Sequence, residues 1–313
     1  MPSLLELISE DLTVPPQLIE NALRLAHIRF RKIHVPKRSG GYRTIVQPAA
    51  ELKLIHTWLT SMVLSRLPLS EAAAAFRPGA SIVKNADVHR VSKYSVRVDL
   101  VDFFPSIRSA DLMRVVLAAR AVLPPWIVEP DFVPLIGKAC FDRDDRLPIG
   151  YPTSPAVANA VMINVDDELL RLIASSPDVY GRARLTRYAD DFVFSTDKAG
   201  ACQTFVHAMR GLITATTSPR VRIDDLKTRF MSRPGGSTLV TGLRINQDGI
   251  VRVHANYRDH VRLMLKHFAS GTLKLDEHQK LVGHLAYVEH ADPRLFTRLS
   301  YRYFDEIARL RGK

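Results

Sequence analysis

Hydrophobic positions recur at helical spacing at both ends of the chain. Residues 3–30 predict two short helices that are interrupted at Pro15-Pro16, and residues 51–67 predict an amphipathic helix. Beyond residue 246 the apolar pattern is again helical. The chain is therefore expected to hold its strands between two helical ends.

Two β-rich runs between residues 30 and 46 flank Ser39-Gly40-Gly41, a sequence that predicts a β-hairpin. The hairpin is rich in Lys and Arg. Such a hairpin could cover bound phosphates, and Arg43 could meet a triphosphate with its fork of donors. A solvated basic hairpin is the alternative.

Adjacent acids stand between two apolar runs at Tyr188-Ala189-Asp190-Asp191. Residues 183–187 alternate, and residues 192–194 are apolar, so the segment predicts a strand, a tight turn and a second strand with the acids at the tip. Neighbouring carboxylates repel each other and resist desolvation, and a bound cation relieves both costs. A solvated acidic turn is the alternative.

A second strand-like run, residues 95–104, carries Asp99 and Asp102 into apolar surroundings. If this strand lies beside the acidic hairpin, Asp99, Asp190 and Asp191 converge as hard oxygen ligands. Two Mg²⁺ ions roughly 3.5–4 Å apart could then stabilise the attacking and leaving oxygens of a phosphoryl transfer. The separation of the two runs suits a split β-α-β arrangement.

Residues 147–155 are rich in turn formers and precede an apolar stripe at four-residue spacing. We expect a helix with Ser154 as its N-cap and Pro155 at its first position. The N-terminus of this helix could hold a nucleotide or template phosphate.

Composition favours a nucleic-acid partner. The chain of 313 residues has 44 Lys and Arg against 32 Asp and Glu, a net charge of +12, and residues 1–30 contribute none of that surplus. Its 46% hydrophobic content suffices for two or three subdomains. No apolar run approaches the ~20 residues that span a bilayer, and the two cysteines imply no disulfide framework. We therefore expect a cytoplasmic protein without membrane contact.

The order of these pieces resembles the fingers and palm motifs of reverse transcriptases, and in particular of the bacterial retron enzymes. Asn85-Ala86-Asp87-Val88-His89 and Val240-Thr241-Gly242-Leu243 resemble the NAxxH and VTG elements that mark retron members. The resemblance covers roughly residues 28–246. The motifs shared with the wider family are the basic hairpin ending in Arg43, Asp99 with Asp102-Phe103-Phe104-Pro105-Ser106-Ile107, the loop from Gly150 to Pro155 with Asn159, and Tyr188-Ala189-Asp190-Asp191.

The resemblance implies an α+β right-hand polymerase with fingers and palm, built from an antiparallel sheet with helices, and a small helical thumb. Residues 1–27 would form an N-terminal helical segment, residues 28–246 the fingers and palm, and residues 247–313 the thumb. Asn246-Gln247-Asp248-Gly249 would be a hinge-like turn between palm and thumb.

Residue roles follow from the same resemblance. Asp99, Asp190 and Asp191 would hold two Mg²⁺ ions, with Mn²⁺ as an alternative, and Leu100 would offer a backbone carbonyl to one of them. Lys227 would protonate or neutralise the leaving pyrophosphate. The expected nucleotide-binding residues are Arg43, Asp102, Phe104 and Gly150, with Phe104 crowding a ribose 2′-hydroxyl. The expected nucleic-acid contacts are Tyr188 under the primer end, Asn85, His89, Thr241, Gly242, and Arg298 and Arg302 in the thumb.

One position departs from the family pattern. The loop usually reads LPQG, and Ile149 stands in place of the glutamine. Because isoleucine cannot hydrogen-bond a nucleotide or template, the departure concerns fidelity, sugar selection or nucleotide affinity and leaves the metal chemistry untouched.

The expected function is RNA-directed DNA synthesis on a cognate structured noncoding RNA. The resemblance implies a short DNA that stays attached to the RNA, priming from an internal 2′-hydroxyl, dNTP substrates, an RNA–DNA hybrid product, and antiphage defence with a separate effector protein. Alternatives are another bacterial reverse transcriptase, of the group II intron or abortive-infection type, and a non-catalytic RNA-binding scaffold or antitoxin. Three neighbouring carboxylates cost stability unless they serve a function, so Asp99, Asp190 and Asp191 argue against a non-catalytic scaffold.

Overall fold

The computed structural model describes residues 3–37 and 40–312. It begins with the two predicted helices, α1 (Leu4–Leu12) and α2 (Pro16–Arg24), followed by strands β1 (Phe30–Pro36) and β2 (Tyr42–Pro48). The two strands pair antiparallel, which confirms the predicted hairpin. Ser39 of the predicted turn and Arg38 beside it lie outside the described residues.

The predicted amphipathic helix is α3 (Ala50–Met62), and it is followed by α4 (Ile82–His89). α3 ends five residues earlier than expected, and the chain continues as a short 3₁₀ turn at Leu64–Arg66. Leu52, Ile55 and Leu59 of α3 are buried at helical spacing. The helical periodicity therefore identified the buried face, although it did not identify the end of the helix.

A four-stranded antiparallel sheet in the order β4-β5-β3-β6 forms the centre of the molecule. Helices occupy most of the chain between its strands. The elements in chain order are β3 (Tyr94–Leu100), α5 (Phe103–Ser106), α6 (Ser109–Ala118), α7 (Phe132–Cys140), α8 (Ser154–Val161), α9 (Ile163–Ser175), α10 (Pro177–Tyr180), β4 (Arg184–Tyr188), β5 (Asp191–Thr196), α11 (Ala201–Ala215) and β6 (Ile223–Ser232).

Alternation along the strands gives this sheet two different faces. On the apolar face Val96 pairs with Phe194 and Val98 pairs with Phe192, and all four belong to the main hydrophobic core. The opposite face, called the polar face below, carries Ser95, Arg97 and Asp99 of β3 and Asp191, Val193 and Ser195 of β5.

Two local predictions were wrong. β3 ends at Leu100, and Asp102 adopts a left-handed backbone (φ +43°) that starts α5, so the strand does not extend to residue 104. Ser154 is the first residue of α8 and not its cap: it is buried, and its hydroxyl donates to the carbonyl of Pro148. Pro155 accordingly occupies the second helical position.

The C-terminal part is a small sheet covered by helices with its own core. The sheet order is β7-β8-β9, and the second core contains Leu243, Leu265 and Leu285 together with Ala86 of α4 and Val193 of β5. These elements are β7 (Thr238–Val240), β8 (Leu243–Ile245), β9 (Val251–Val253), α12 (Ala255–Ala269), α13 (Leu275–Ala291), α14 (Pro293–Arg302) and α15 (Phe304–Leu310).

Residues 246–249 do not form a hinge between two subdomains. They are the turn of the β8–β9 hairpin, in which Ile245 pairs with Val251 and the Asn246 side chain accepts from the amide of Ile250 at 2.8 Å. The architecture is otherwise the α+β arrangement of helices and antiparallel sheets that the sequence predicted. Within the described ranges no helix is long and apolar enough to cross a membrane.

Candidate active site

The two acidic segments meet at one end of the polar face, called the open end below. Asp99 pairs directly with Asp191 across β3 and β5, and Tyr188 pairs with Asp191 across β4 and β5. Ala189 takes a left-handed backbone (φ +59°), and Asp190 accepts from the amide of Leu100 at 3.1 Å. The strand, turn and strand predicted around Asp190, and its position beside the Asp99 strand, are therefore confirmed.

The carboxylates at the open end are close enough to affect one another. Burial raises the pKa of Asp190, and the charge of Asp99 raises it further. Burial also raises the pKa of Asp191 to about 6, although the Arg97 guanidinium works in the opposite direction. Asp99 itself is only 5% exposed. The site thus concentrates negative charge that proton or cation binding would relieve.

Two cations contact these carboxylates. Arg97 donates from Nε to Asp191 Oδ1 at 2.8 Å, and its Nη2 lies 3.8 Å from Asp99 Oδ2. Lys227 donates to Asp99 Oδ1 at 2.7 Å and lies 3.3 Å from Asp224 Oδ2. The hydrogen bond to Asp99 raises the pKa of Lys227, so its ammonium stays protonated. The structure thus brings Lys227, which the sequence analysis expected in the active site, into contact with Asp99.

The donors at the open end are chemically suited to a hard divalent cation. Asp99, Asp190 and Asp191 offer carboxylate oxygens, which Mg²⁺ prefers, and their mutual repulsion would be relieved by a cation. In the side-chain arrangement of the described residues, no three acidic, histidine or cysteine side chains form a ready-made metal cage. Arg97 contacts carboxylate oxygens of Asp191 and Asp99 instead, and Lys227 contacts one of Asp99.

The basic hairpin formed by β1 and β2 also lies near the open end. The charge of Arg43 lowers the pKa of Asp190, which places the exposed guanidinium near the acidic turn. The hairpin is joined to the 147–153 loop because Val46 donates to the carbonyl of Ile149 at 2.7 Å. Gly150 adopts φ +110°, and a Cβ there would lie 2.5 Å from Ile45 Cγ2. Only glycine fits this contact between loop and hairpin.

The remaining residues expected at the nucleotide lie around this end of β3. Phe104 is partly buried and stands edge-on to Phe103, with 5.4 Å between ring centroids. Asp102 is exposed two residues beyond Leu100. Tyr188 is partly exposed and tilts against Phe76, with 6.2 Å between centroids. Asp102 and Phe104 therefore follow the end of β3 directly, and Tyr188 lies beside Asp191 on β4.

A buried ion pair supports the catalytic turn from the apolar face. Arg187 is fully buried and donates to both carboxylate oxygens of Asp166 on α9, at distances down to 2.7 Å. Its Nη1 also donates to Asn159 Oδ1 at 3.3 Å and to the carbonyl of Ala189 at 3.2 Å. Hydrogen bonds satisfy both charges of the Arg187–Asp166 ion pair. The bond to the carbonyl of Ala189 holds the Ala189-Asp190 turn in position.

Sequence reasoning missed Arg97, Asp224 and the Arg187–Asp166 pair. Arg97 was detectable, because residues two apart on a strand share a face and Arg97 precedes Asp99 by two. Asp224 becomes visible only through the β3–β6 register, which pairs it with Asp99. Asp166 and Arg187 are 21 residues apart, and no local pattern links them.

Asn85 and His89 were expected to contact nucleic acid, and the structure contradicts this, because both are 2% exposed on α4. His89 hydrogen-bonds to Ser195 at 2.7 Å and to Thr186 at 2.8 Å, and burial lowers its pKa to about 3. The histidine is therefore a neutral core residue with both ring nitrogens occupied. The side-chain amide of Asn85 is buried without a hydrogen-bond partner.

The VTG element lies against the NAxxH helix. Thr241 donates to the carbonyl of Ile82 at 3.2 Å, and Thr241 and Gly242 form the β7–β8 turn with left-handed backbones. Both residues line a cavity of about 710 Å³ together with His254, Tyr257 and His260. In the thumb region Arg298 and Arg302 are exposed on α14, and Arg302 stacks over Tyr303.

Comparison with known proteins agrees with this geometry. Residues 35–265 match the family described as "Reverse transcriptase (RNA-dependent DNA polymerase)". The chain is 37% identical to the retron Ec73 reverse transcriptase of Escherichia coli over 88% of both chains. It is 32% identical to the retron Mx65 reverse transcriptase of Myxococcus xanthus over 86% of this chain and 62% of that relative.

Solved structures with low sequence identity share the fold. The telomerase of Candida albicans, in complex with a fragment of telomeric RNA, superposes with a TM-score of 0.51 at 10% identity over 93% of this chain. An apo telomerase of Candida tropicalis gives 0.50 at 11% identity over 92% of this chain. The chain spans about 60% of the length of those telomerases.

The fold is thus that of a right-hand polymerase, and the protein is a reverse transcriptase, an RNA-directed DNA polymerase. Within that class the chain belongs to the bacterial retron reverse transcriptases.

Proposed function

We propose that this enzyme copies a cognate structured noncoding RNA into a short DNA that remains attached to the RNA. The observation that carries the proposal is the pairing of Asp99 with Asp191, beside Asp190 and Lys227, in a chain related to retron enzymes. Priming from an internal 2′-hydroxyl, and antiphage defence together with a separate effector protein, belong to the same proposal.

Asp99, Asp190 and Asp191, with the carbonyl of Leu100, would hold two divalent ions, Mg²⁺ or alternatively Mn²⁺. Such ions, when bound, stabilise the attacking and leaving oxygens of nucleotidyl transfer. Lys227 would donate a proton to the leaving pyrophosphate, since its ammonium is fixed beside Asp99. This role explains why a lysine is placed at the edge of the acidic cluster.

Substrate positioning would come from the residues around the open end. Arg43 would bind the triphosphate, and Asp102 and Gly150 would contact the incoming dNTP. Phe104 would exclude the ribose 2′-hydroxyl by occupying its space. Tyr188 would support the primer end. The location of Arg43 near Asp190, and of the Gly150 loop against the hairpin, supports this arrangement.

The RNA and the RNA–DNA hybrid would contact the C-terminal part. Thr241 and Gly242 line a cavity with tyrosine and histidine rings, which suits an unpaired base. Arg298 and Arg302 would bind phosphates of the hybrid. We propose residues 1–27 as the N-terminal segment and 28–246 as fingers and palm, with the thumb after residue 246. Val240, Leu243 and Ile245, which precede that boundary, belong to the same hydrophobic core as the thumb helices, so β7 and β8 pack against the proposed thumb.

Co-expression with the noncoding sequence beside its gene tests the proposal. The purified protein should carry RNA joined to a short DNA of defined length, and a 2′,5′-debranching enzyme should release that DNA on a denaturing gel. An Asp190→Asn variant, produced in the same way, should carry RNA without DNA. If wild type also carries RNA and never DNA, the protein is a scaffold and the polymerase proposal fails.

A further inference from the structure

A second positively charged region lies beside the palm, outside the carboxylate cluster. Two cavities of about 640 and 690 Å³ adjoin there and share Thr217, Arg220 and Arg222. Together they form the arginine groove, which runs between the first turns of α6, the 142–146 loop and the segment before β6. Its arginines are Arg108, Arg114, Arg146, Arg210, Arg220 and Arg222.

The positive charge of the arginine groove exceeds the negative charge of its acidic lining residues. Asp102 and Asp111 are its only acidic lining residues within the described ranges, and Asp111 accepts from the amide of Arg108 and from the Ser218 hydroxyl. Arg114, Arg220 and Arg222 are exposed and make no ion pair with any described residue. Three uncompensated guanidinium groups around one groove repel one another, and an anion would remove that repulsion.

Some arginines of the groove are held by the protein. Arg210 is paired with Asp225 at 2.7 Å, and Arg108 donates to the carbonyls of Asp144 and Asp145. These two are therefore less available to a ligand. The exposed hydroxyl of Thr217 adds a donor between the free arginines, whereas the Ser106 hydroxyl already donates to the carbonyl of Asp102 at 2.9 Å. Guanidinium forks with hydroxyl donors are the combination that binds phosphate oxygens.

Asp102 is the lining residue that the groove shares with the place proposed for the incoming nucleotide, and none of the groove arginines belongs to that place. Arg43 acts on Asp190 in the β4–β5 turn, whereas Arg222 precedes β6, at the opposite edge of the β4-β5-β3-β6 sheet. The groove also continues past Arg222 toward Arg210, so arginines line both of its adjoining cavities. A chain of phosphates carries its negative charges at several points, so it matches arginines spread over two cavities better than a single nucleotide does.

We infer that the arginine groove binds the sugar–phosphate backbone of an RNA segment outside the catalytic cleft. The inference rests on the proposed function, because it takes a structured RNA as the bound partner. None of the described lining residues is aromatic, so the groove offers no base stacking and contacts RNA without regard to its sequence. It would hold the body of the RNA while a template segment occupies the active site.

The test replaces Arg114 and Arg220 together by glutamine, which removes both charges and keeps the aliphatic stems. The probe is a synthetic RNA hairpin with single-stranded flanks, and its Kd is measured over a series of salt concentrations. We expect the Kd to rise about ten-fold near physiological salt and the log–log salt slope to fall by about 2, one for each lost phosphate contact. The kcat and the KM for dTTP on poly(rA)·oligo(dT) should stay at wild-type values.

A matched control replaces Arg66 and Arg120 by glutamine. Both are exposed and line neither cavity, and the net charge changes equally. This control should bind the hairpin as wild type does, and an Arg114→Lys/Arg220→Lys pair should keep the wild-type salt slope. An unchanged Kd in the glutamine pair, an equal loss in the control pair, an equal loss in the lysine pair, or a raised KM for dTTP without an RNA effect would each overturn the inference. Absence of synthesis by the wild type would instead refute the proposed function.

Discussion

The two ends of the polar face place their polar side chains in opposite environments. At the open end Asp190 and Asp191 remain partly exposed with raised pKa values. At the other end, called the covered end, α4 and β7 lie over the sheet, where His89 binds Ser195 and Ser95 contacts Thr238 at 3.1 Å. Both ends carry sequence motifs of the family. Of the two ends, only the open end holds neighbouring carboxylates with raised pKa values. Such an arrangement is typical of a site that binds a ligand or cation.

The largest expected effect is on synthesis, at the open end. Asp190→Asn or Asp191→Asn should abolish DNA synthesis, because an amide replaces a carboxylate that we propose binds a metal ion, while RNA binding stays nearly unchanged. Primer extension with Mg²⁺, together with an RNA-binding assay, measures both. Robust synthesis by either variant would remove this group from the active site.

A substitution at the covered end should change the stability of the protein. His89→Ala removes the hydrogen bonds to Thr186 and Ser195, of which Ser195 keeps only its bond to Ser92, and creates a cavity, so the free energy of unfolding should fall by roughly 3 kcal/mol. The exposed His207 is the control, since His207→Ala should leave the value within about 0.5 kcal/mol. Urea unfolding measures both. Loss of RNA binding in a His89→Ala protein that unfolds like wild type would show a direct contact instead.

The two ends should also have opposite pH dependence. Burial lowers the pKa of His89 to about 3, so the unfolded chain takes up that proton first and stability is lost as pH falls below about 6.5. The raised pKa of Asp191, about 6, means that the folded state takes up that proton first, so this group adds stability as pH falls from 6 toward 4.

Unfolding in EDTA at several pH values between 7 and 5 separates these contributions. Relative to wild type, His89→Asn should make the acid-side loss of stability shallower by up to about 1.4 kcal/mol per pH unit, and Asp191→Asn should make it steeper. If both variants change the slope in the same direction, the contrast between the two ends is wrong.

The smallest expected effect concerns sugar selection at the open end. Phe104→Ala should raise incorporation of ribonucleotides several-fold, because space opens for the 2′-hydroxyl, while the unfolding temperature changes less than in His89→Ala. Competition between dNTP and rNTP in primer extension reports the ratio. Unchanged discrimination would make Phe104 a packing residue against Phe103.

The sequence predicted the open end better than the covered end for physical reasons. Strand alternation and the Tyr188–Asp191 turn are local signals, and they identified the two acidic segments, whose pairing through Asp99 and Asp191 comes from the structure. His89 was expected to contact nucleic acid, because a sequence motif does not reveal which side of a helix faces the sheet. That face depends on the β3–β5 pairing and on the cover from β7, both of which join distant residues.

The same limit applies to the ends of elements. The left-handed backbone of Asp102 ends β3 early, and aspartate tolerates this conformation without any distinctive sequence pattern. The turn at residues 246–249 was correctly seen as a turn, but its place inside a hairpin required the pairing of Ile245 with Val251. Local chemistry predicted the turn, and only tertiary pairing determined what it connects.

The buried Arg187 has a consequence for nucleotide selection. It hydrogen-bonds to Asn159 of α8 and to the carbonyl of Ala189 in the catalytic turn, and α8 begins directly after the loop that contains Ile149 and Gly150. A misfit in that loop, from a wrong base or sugar, would therefore be transmitted through α8 to the carboxylates. Discrimination and reaction rate would then be coupled without a moving lid, because one rigid connection serves both.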